Sequence, residues 1–350
     1  MPALSKTQFD SLAAAAVAAP SADNKHVFRL QASDDGLRLL ATADFLQADA
    51  SRRVLGLISL GAVLQNLKIR AGGLGLRLQP AWRLGGGEGS ERIADLAVEP
   101  VAPTPDPLEA AIEARHTNRR LRFKGPALSP SAQHQFAMES ATVDATDLVW
   151  LDAPPLRAQG LRLIRRAESE RFRNEELHRD LFGSIRFDVG WRASAAEGLP
   201  AGALELPVFE RPAFRALRHW PVQRAANLIG MHRFIGLRAA DLPCRLAPHV
   251  CAVVARGGDD AAAIDAGQLL QRLWLRATLM GLSLQVFAAS PLYALDGSTA
   301  INDDLRETLA SGWRKLCPTG RPFVVFRMGH AKPPSVCAGR PDADRVQAPA

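Results

Sequence analysis

The sequence is short of cysteine and tyrosine and has no basic leader, and each shortage removes a class of protein. Four cysteines in 350 residues, Cys244, Cys251, Cys317 and Cys337, are too few and too scattered for a disulfide scaffold, so reduced thiols are expected. Cys244, His249 and Cys251 lie close together, but their spacing fits no usual zinc pattern. With Leu242, Leu246, Val250 and Val253 around them they read as part of a buried strand, and no metal is expected. A single tyrosine and no run of aromatic residues alternating with cations leave no stacking platform, so no nucleic-acid partner is expected. The apolar run Ser11–Ala19 lacks the basic leader of a signal peptide, because Lys6 is followed by Asp10, and it is short for a membrane span. It reads as an alanine-rich amphipathic helix. A cytoplasmic chain with no membrane partner is expected.

What is present suits a folded protein. With 47% apolar and 23% charged residues the chain can bury one large or two medium domains. The net charge of +7 is carried by arginine far more than by lysine. A guanidinium is a planar fork matched to phosphate and carboxylate, so an anionic ligand is expected.

An internal repeat organises the chain. Ile58–Leu76 reads ISLGAVLQNLKIRAGGLGL and Ile264–Leu282 reads IDAGQLLQRLWLRATLMGL. At one constant offset Ile58, Gly61, Leu64, Gln65, Leu67, Arg70, Ala71, Gly75 and Leu76 meet Ile264, Gly267, Leu270, Gln271, Leu273, Arg276, Ala277, Gly281 and Leu282. Apolar residues at three- and four-residue steps predict a broadly buried helix in each, and the closing Gly-Leu predicts a left-handed stop running into a strand. A shorter echo pairs Gly36–Leu40, in an expected hairpin, with Gly160–Ile164. Its smaller offset predicts an insertion in the second copy, over about 165–247, which reads as a partly helical subdomain or lid.

The remaining elements follow from the same patterns. A helix is expected over Lys6–Ala19, a hairpin from His26–Ala32 and Gly36–Ala43, and a strand near Leu76–Leu78. The Gly- and Pro-rich stretch 85–107 reads as a linker between a first copy (1–84) and a second (108–350). Beyond it come helices over Leu108–Ala114 and Ser129–Ser140 and strands at Leu148–Leu151, Ser283–Ala288 and Pro322–Met328. Helices alternating with apolar strands predict a mixed α/β or α+β sandwich.

The segment Arg115-His-Thr-Asn-Arg-Arg120, followed by Phe123 and Pro126, brings guanidinium groups and a hydroxyl together, the inventory for gripping a phosphate and a polyol. It resembles the flavin-binding signature of the nitroreductase family. Three more segments resemble that family in the proper order: Pro20-Ser21-Ala-Asp-Asn24, the two repeat helices, and Met328-Gly-His-Ala-Lys-Pro-Pro334 with Arg340-Pro341. The likeness covers almost the whole chain outside the insertion.

The resemblance implies a nitroreductase-like α+β sandwich in which two tandem degenerate copies form an intramolecular pseudo-dimer, with the lid inserted in the second copy. Ordinary members are homodimers with flavin at the interface. Here the first copy has the Pro20–Asn24 turn without an Arg-x-Ser/Thr turn, and the second has Arg115, Thr117 and Arg119 but Ala141–Thr146 where the other turn should fall. One complete and one ruined site are therefore implied, in a monomeric pseudo-dimer or loose homodimer. The layout is similar to mycobacterial Acg-like proteins.

By the same resemblance Arg115, His116 and Thr117 approach the FMN phosphate, ribityl chain or ring edge, and Arg119 lies near the ring nitrogen that gains charge on reduction. Arg340, helped by Lys332, holds the phosphate. Pro20, Ser21 and Asn24 approach the ring from the other copy, and a backbone N–H at Ala288 or Ala289 donates to flavin N5. The implied function is reduction of a small electrophile, such as a nitroaromatic or quinone, by NAD(P)H through FMN, with no catalytic side chain required. The alternative is an FMN-binding storage, sequestration or sensing protein with a lidded flavin. Trp191, Trp220 and Leu228–Leu237 in the insertion either cover the ring or form the insertion's own small core. Departures from the family pattern, His26-Val27-Phe28 after the turn and alanine beside the N5 donor, leave the nicotinamide and substrate preference open.

Overall fold

The computed structural model describes residues 4–84, 91–297 and 300–349, so the glycine-rich start of the expected linker, 85–90, lies outside the described residues. The chain opens with helix α1 (Lys6–Val17), started by a capping box in which Ser5 and Gln8 satisfy each other's backbone N–H groups. A hairpin follows, β1 (Phe28–Ser33) and β2 (Gly36–Ala41), then the one-turn α2 (Ala43–Leu46) and the long α3 (Ala50–Gly73), whose N-terminus is capped by Asp49. Gly75 closes α3 with φ +70 and turns the chain into β3 (Leu76–Trp82).

The expected linker contains a nine-residue strand, β4 (Arg92–Pro100), which pairs with both β2 and β3. Ile93, Ala94, Leu96 and Val98 bury one face of it, and this alternation is flanked by glycine and proline runs that carry the linker-like composition. The segment read as a helix at Leu108–Ala114 is a 3₁₀ turn, Pro107–Ala111, capped by Asp106.

The second half runs through α4 (Pro130–Ser140), β5 (Thr146–Trp150), α5 (Pro154–Arg173), α6 (Glu175–Ser184), and the small parallel pair β6 (Ile185–Arg186) and β7 (Leu199–Pro200). Short helices follow, α7 (Arg211–Ala216), α8 (Trp220–Asn227), α9 (Met231–Gly236) and α10 (Leu242–Arg245). Then come β8 (His249–Ala255), α11 (Asp260–Leu279), β9 (Ser283–Phe287), α12 (Ala289–Leu292), α13 (Asp303–Leu316), β10 (Arg321–Gly329) and β11 (Gln347–Ala348). The echo of the hairpin segment, Gly160–Ile164, lies inside α5 rather than in a strand. Leu161, Ile164, Ala167 and Glu168 are buried there at helical spacing, and Pro154 and Pro155 set the first turn.

The fold is a mixed α+β arrangement of two sheets with a helical layer between them. The strand orders are β1-β2-β4-β3, extended at the β1 edge by β11, and β5-β8-β10-β9. The two orders correspond position by position, and α3 and α11 occupy equivalent places before β3 and β9. The most extensive helix contact is between α3 and α11. Gly61 faces the backbone of Ile264 and Gly267 faces the backbone of Ile58, so a Cβ added at either glycine would overlap the other helix. These four residues are the ones aligned by the sequence repeat, and the contact is reciprocal in the way of a two-fold interface. In its middle Gln271 donates to Asn66 at 2.6 Å, and Asn66 donates to the carbonyl of Ala15 at 2.8 Å. Helix α3 is long and apolar enough to cross a membrane, but it is spent on this core.

Between β1 and β2 stand only Asp34 and Asp35, whereas residues 151–248 separate β5 from β8. Most of that long connection forms a satellite with its own apolar cluster around Phe172, Phe182, Ile185, Leu199 and Ile235. Trp191 packs on this cluster, and the Trp220 ring lies 5.2 Å from that of His178.

Candidate functional site

A cavity of about 290 Å³ opens where the α1–β1 turn, α3, α11, the loop after the 3₁₀ turn, α6 and the C-terminal tail meet. It collects Pro20, Ser21 and Asn24 from the first half with Arg115, His116, Thr117, Arg119, Ala288, Ala289 and Arg340 from the second. Lys332 does not join them. Its backbone carbonyl accepts from Asn118 Nδ2 at 2.9 Å, which fixes this part of the tail with the side chain exposed to solvent.

The arginine loop is held rigidly from below. The Asn118 N–H donates to Leu284 O at 3.1 Å and its side chain to Ser283 Oγ at 3.0 Å, which pins the loop to β9. Arg327, fully buried on β10, donates from Nη1 to the carbonyls of Leu121 and Pro243, each at 2.8 Å, and from Nη2 to that of Arg120. Its guanidinium stacks 3.9 Å above the centre of the Phe123 ring. With no carboxylate paired to it among the described residues, burial pulls this cation down to about 10.

The opposite wall is a strained turn. Asp23 and Asn24 both have positive φ, 53° and 56°, a conformation that asparagine and aspartate tolerate better than most residues. The Asn24 amide donates to the carbonyls of Ala196 at 3.0 Å, Gly198 at 3.2 Å and Ala195 at 3.4 Å, and its Oδ1 accepts from Arg340 Nη1 at 2.9 Å. The same side chain thus ties the first half to the satellite and to the tail.

Asp23, Asp49, Glu176 and Asp180 also line the cavity, but three of its arginines have no ion-pair partner among the described residues. Among the described residues Arg115, Arg119 and Arg340 meet no carboxylate within ion-pair distance. Arg115 is 3% exposed, stacks 4.5 Å from the centre of the Trp274 ring and donates to Ala18 O at 3.1 Å, yet its Nε has no partner. Burial, and then the neighbouring Arg340, push Arg115 well below the ordinary arginine range. Burial likewise lowers Arg340, and it brings Arg119 down to about 10 although Asp23 opposes the shift. Ser21 Oγ and Ser51 Oγ, on cavity-lining residues, are also buried without a hydrogen-bond partner. Three uncompensated cations and three unsatisfied polar atoms around one hollow fit a polyanionic, hydroxyl-bearing ligand.

Apolar walls lie beside this polar corner: Leu55 and Ile58 on α3, Leu270 and Trp274 on α11, and Val286 and Leu292. They suit a flat ring system. FMN combines both demands, a phosphate and polyol at one end and a ring at the other, and the residues present fit it.

The far end is built by residues absent from the sequence-based site. Arg52 pairs with Asp180 at 2.8 Å and Arg171 with Glu168 at 3.2 Å. Burial alone would lower Arg171, but Glu168, Tyr293 and Asp23 more than offset it and raise it. Burial pushes the Tyr293 phenol up. From the satellite the cavity wall takes Leu177, Leu181, Leu199 and Ala203, not Trp191, Trp220 or the Leu228–Leu237 segment, expected either to cover the ring or to form the insertion's own core. Trp191 packs on the satellite's own cluster and Trp220 stands against His178, while Leu228, Ile229 and Phe234 face solvent. The sequence held no pattern pointing to this wall, because it is assembled from a connection without a counterpart in the first half.

No family profile and no curated protein matches the sequence. Among solved structures the chain is similar to a nitroreductase with bound FMN from Bacteroides fragilis, at 11% identity over 65% of this chain and 89% of that one, with a TM-score of 0.35. It is also similar to a nitroreductase with bound FMN from Desulfitobacterium hafniense, at 14% identity over 69% and 97%, TM-score 0.33. A third is the FMN-dependent nitroreductase NfnB from Mycobacterium smegmatis in complex with NADPH, at 16% identity over 64% and 87%, TM-score 0.30.

Proposed function

We propose that this chain is an FMN-dependent oxidoreductase whose two halves, 1–84 and 108–350, act as the two subunits of a pseudo-dimer around a single flavin. It takes reducing equivalents from NAD(P)H and passes them to a small electrophile such as a nitroaromatic or quinone. The observation that carries the reading is the group of Arg115, Arg119 and Arg340, buried or half-buried without an ion-pair partner among the described residues, in a cavity drawn from both halves. The correspondence of the two strand orders and the reciprocal Gly61–Ile264 and Gly267–Ile58 contacts support the pseudo-dimer.

In this reading Arg115 and Arg340 hold the phosphate, with Thr117 and Ser21 available to the ribityl hydroxyls. Bound FMN supplies the hydride acceptor and donor, so the side chains need only position and polarise. Arg119 would offset negative charge on a bound ring, an electrostatic effect that a desolvated cation delivers more strongly than a solvated one. The turn at Pro20–Asn24, fixed by its bonds to Arg340 and to residues 195–198, closes one edge, while the backbone at Ala288 and Ala289 closes another. Leu55, Ile58, Leu270 and Val286 exclude water from the ring.

A second reading, an FMN-binding protein with little turnover, is favoured by one observation: the satellite is tied directly to the cavity turn through all three carbonyl acceptors of Asn24 and supplies part of the wall. Anaerobic mixing of the FMN-loaded protein with NADPH separates the two. Bleaching of the flavin absorbance within seconds is the expected result for the oxidoreductase. Absorbance that persists with NADPH and NADH but disappears with dithionite would establish the second reading instead.

A further inference from the structure

The satellite carries a surface that the cavity does not use. Among the described residues seven of the eleven large apolar side chains exposed to solvent fall between residues 208 and 237. Leu228 is 88% exposed, Ile229 85%, Phe209 80%, Val208 73% and Phe234 61%. An exposed single leucine is ordinary in a folded protein, but a cluster of this kind is not.

The cluster is set in cations. Residues 208–238 contain six arginines and one glutamate, and that glutamate, Glu210, is occupied by Arg238 at 3.4 Å. This pair also ties the Val208–Glu210 turn to the chain that follows α9. Arg215, Arg224 and Arg233 are exposed and have no carboxylate partner among the described residues. The inner side of the same element is firmly seated: Ile235 and Gly236 are buried against α5, and Asn227 donates to Phe172 O at 2.8 Å. The apolar groups therefore project from an anchored base. Leu228 and Ile229 stand on the turn closed by Gly230, whose φ is +83 and beside which an added Cβ would meet nothing within 4 Å.

We propose that this face docks on an anionic lipid surface, with the arginines at the headgroups and Leu228, Ile229, Phe209 and Phe234 in the acyl boundary. Charge complementarity selects the occupant. A second copy of the chain would set six arginines against six, and a protein partner needs a shape-matched surface, whereas these side chains protrude from a turn tip. An interface with lipid accepts protruding apolar groups flanked by arginine, lying on the membrane rather than crossing it. Juxtamembrane cations each add about fivefold to partition onto an anionic surface, an attraction that salt screens.

Sedimentation with vesicles tests this on the full chain. The wild type is expected to bind phosphatidylcholine vesicles containing phosphatidylglycerol and to leave phosphatidylcholine alone unbound, with binding weakened by salt. The triple variant Arg215→Gln/Arg224→Gln/Arg233→Gln is expected to lose about a hundredfold in partition. Leu228→Ser/Ile229→Ser, on side chains outside any packed core, is expected to abolish the binding that survives high salt. A Leu228→Trp variant is expected to show blue-shifted emission on the mixed vesicles. Equal binding to both vesicle types, triple-variant binding equal to wild type, or no binding to either would overturn the proposal. Displacement from the vesicles by soluble poly-glutamate, with the serine variant behaving as wild type, would overturn it in favour of an acidic macromolecule.

Discussion

The connection from β1 to β2 and the connection from β5 to β8 occupy equivalent places in two sheets of the same strand order, yet the first is Asp34 and Asp35 and the second runs from 151 to 248. The corners that follow α1 and α4 differ in the opposite sense. The turn at Pro20–Asn24 faces Arg115, Arg119 and Arg340. The stretch Ala141–Thr146 borders a depression whose lining contains one arginine, Arg256, with Asp144 and Asp147 beside it. Glu139, at the end of α4, takes both Arg272 and Arg276 of α11, so these two cations are neutralised where Arg115, Arg119 and Arg340 are not. One half supplies the turn and the other the cations, and the long connection lies on the side where the two meet.

If the two repeat helices are equivalent, changes at their contact must cost the same in either copy. Gly61→Leu and Gly267→Leu are each expected to destabilise the protein by about 3 kcal/mol or more, because the added side chain meets backbone rather than a movable side chain. Chemical denaturation of both variants measures this. A severe loss at one position and none at the other would break the comparison.

The two corners separate next. Arg115→Ala and Arg340→Ala are each expected to weaken FMN binding by about 1.5 to 3 kcal/mol, the scale of a charge-assisted hydrogen bond, as read by flavin fluorescence titration. Arg256→Ala, at the other corner, is expected to leave the affinity unchanged. Equal losses at both corners would place ligand in each.

The bridge between turn and satellite is expected to be worth less. Asn24→Ala removes the donor to three carbonyls and the acceptor of Arg340, and it strains the left-handed backbone, at a cost of about 1 to 3 kcal/mol in stability. The smallest effect is expected at Arg119. Its side chain has no hydrogen bond or ion pair among the described residues, so Arg119→Met should leave the melting temperature of the FMN-free protein unchanged or slightly higher while weakening FMN binding. Added inorganic phosphate should raise the melting temperature of wild type more than that of Arg115→Ala.

The sequence was most legible where a local pattern and a long-range contact coincide. The repeat identified both core helices and their glycine-closed ends, since Gly75 and Gly281 do adopt left-handed φ. Ten of the eleven residues expected around the ligand meet in one cavity because each lies in a short motif of its own. Legibility failed where composition and pattern disagree. The β4 strand was hidden between glycine and proline runs, and Gly160–Ile164 repeats four of the five residues of Gly36–Leu40 in β2 while its buried positions follow a helical period. Lys332 carries the right charge, but its backbone is fixed by Asn118 with the side chain turned outward. The satellite could be sensed as an added segment without revealing that its leucines would line the cavity and its tryptophans would not. Which apolar groups face inward depends on docking between distant parts of the chain.

Titration of the FMN-free protein with FMN, with the mass of the species measured in the same solution, tests the central claim most directly. The account expects saturation at one FMN per chain, with a bound flavin already present in the monomer. Saturation at two per chain, or binding that appears only when two chains associate, would contradict it.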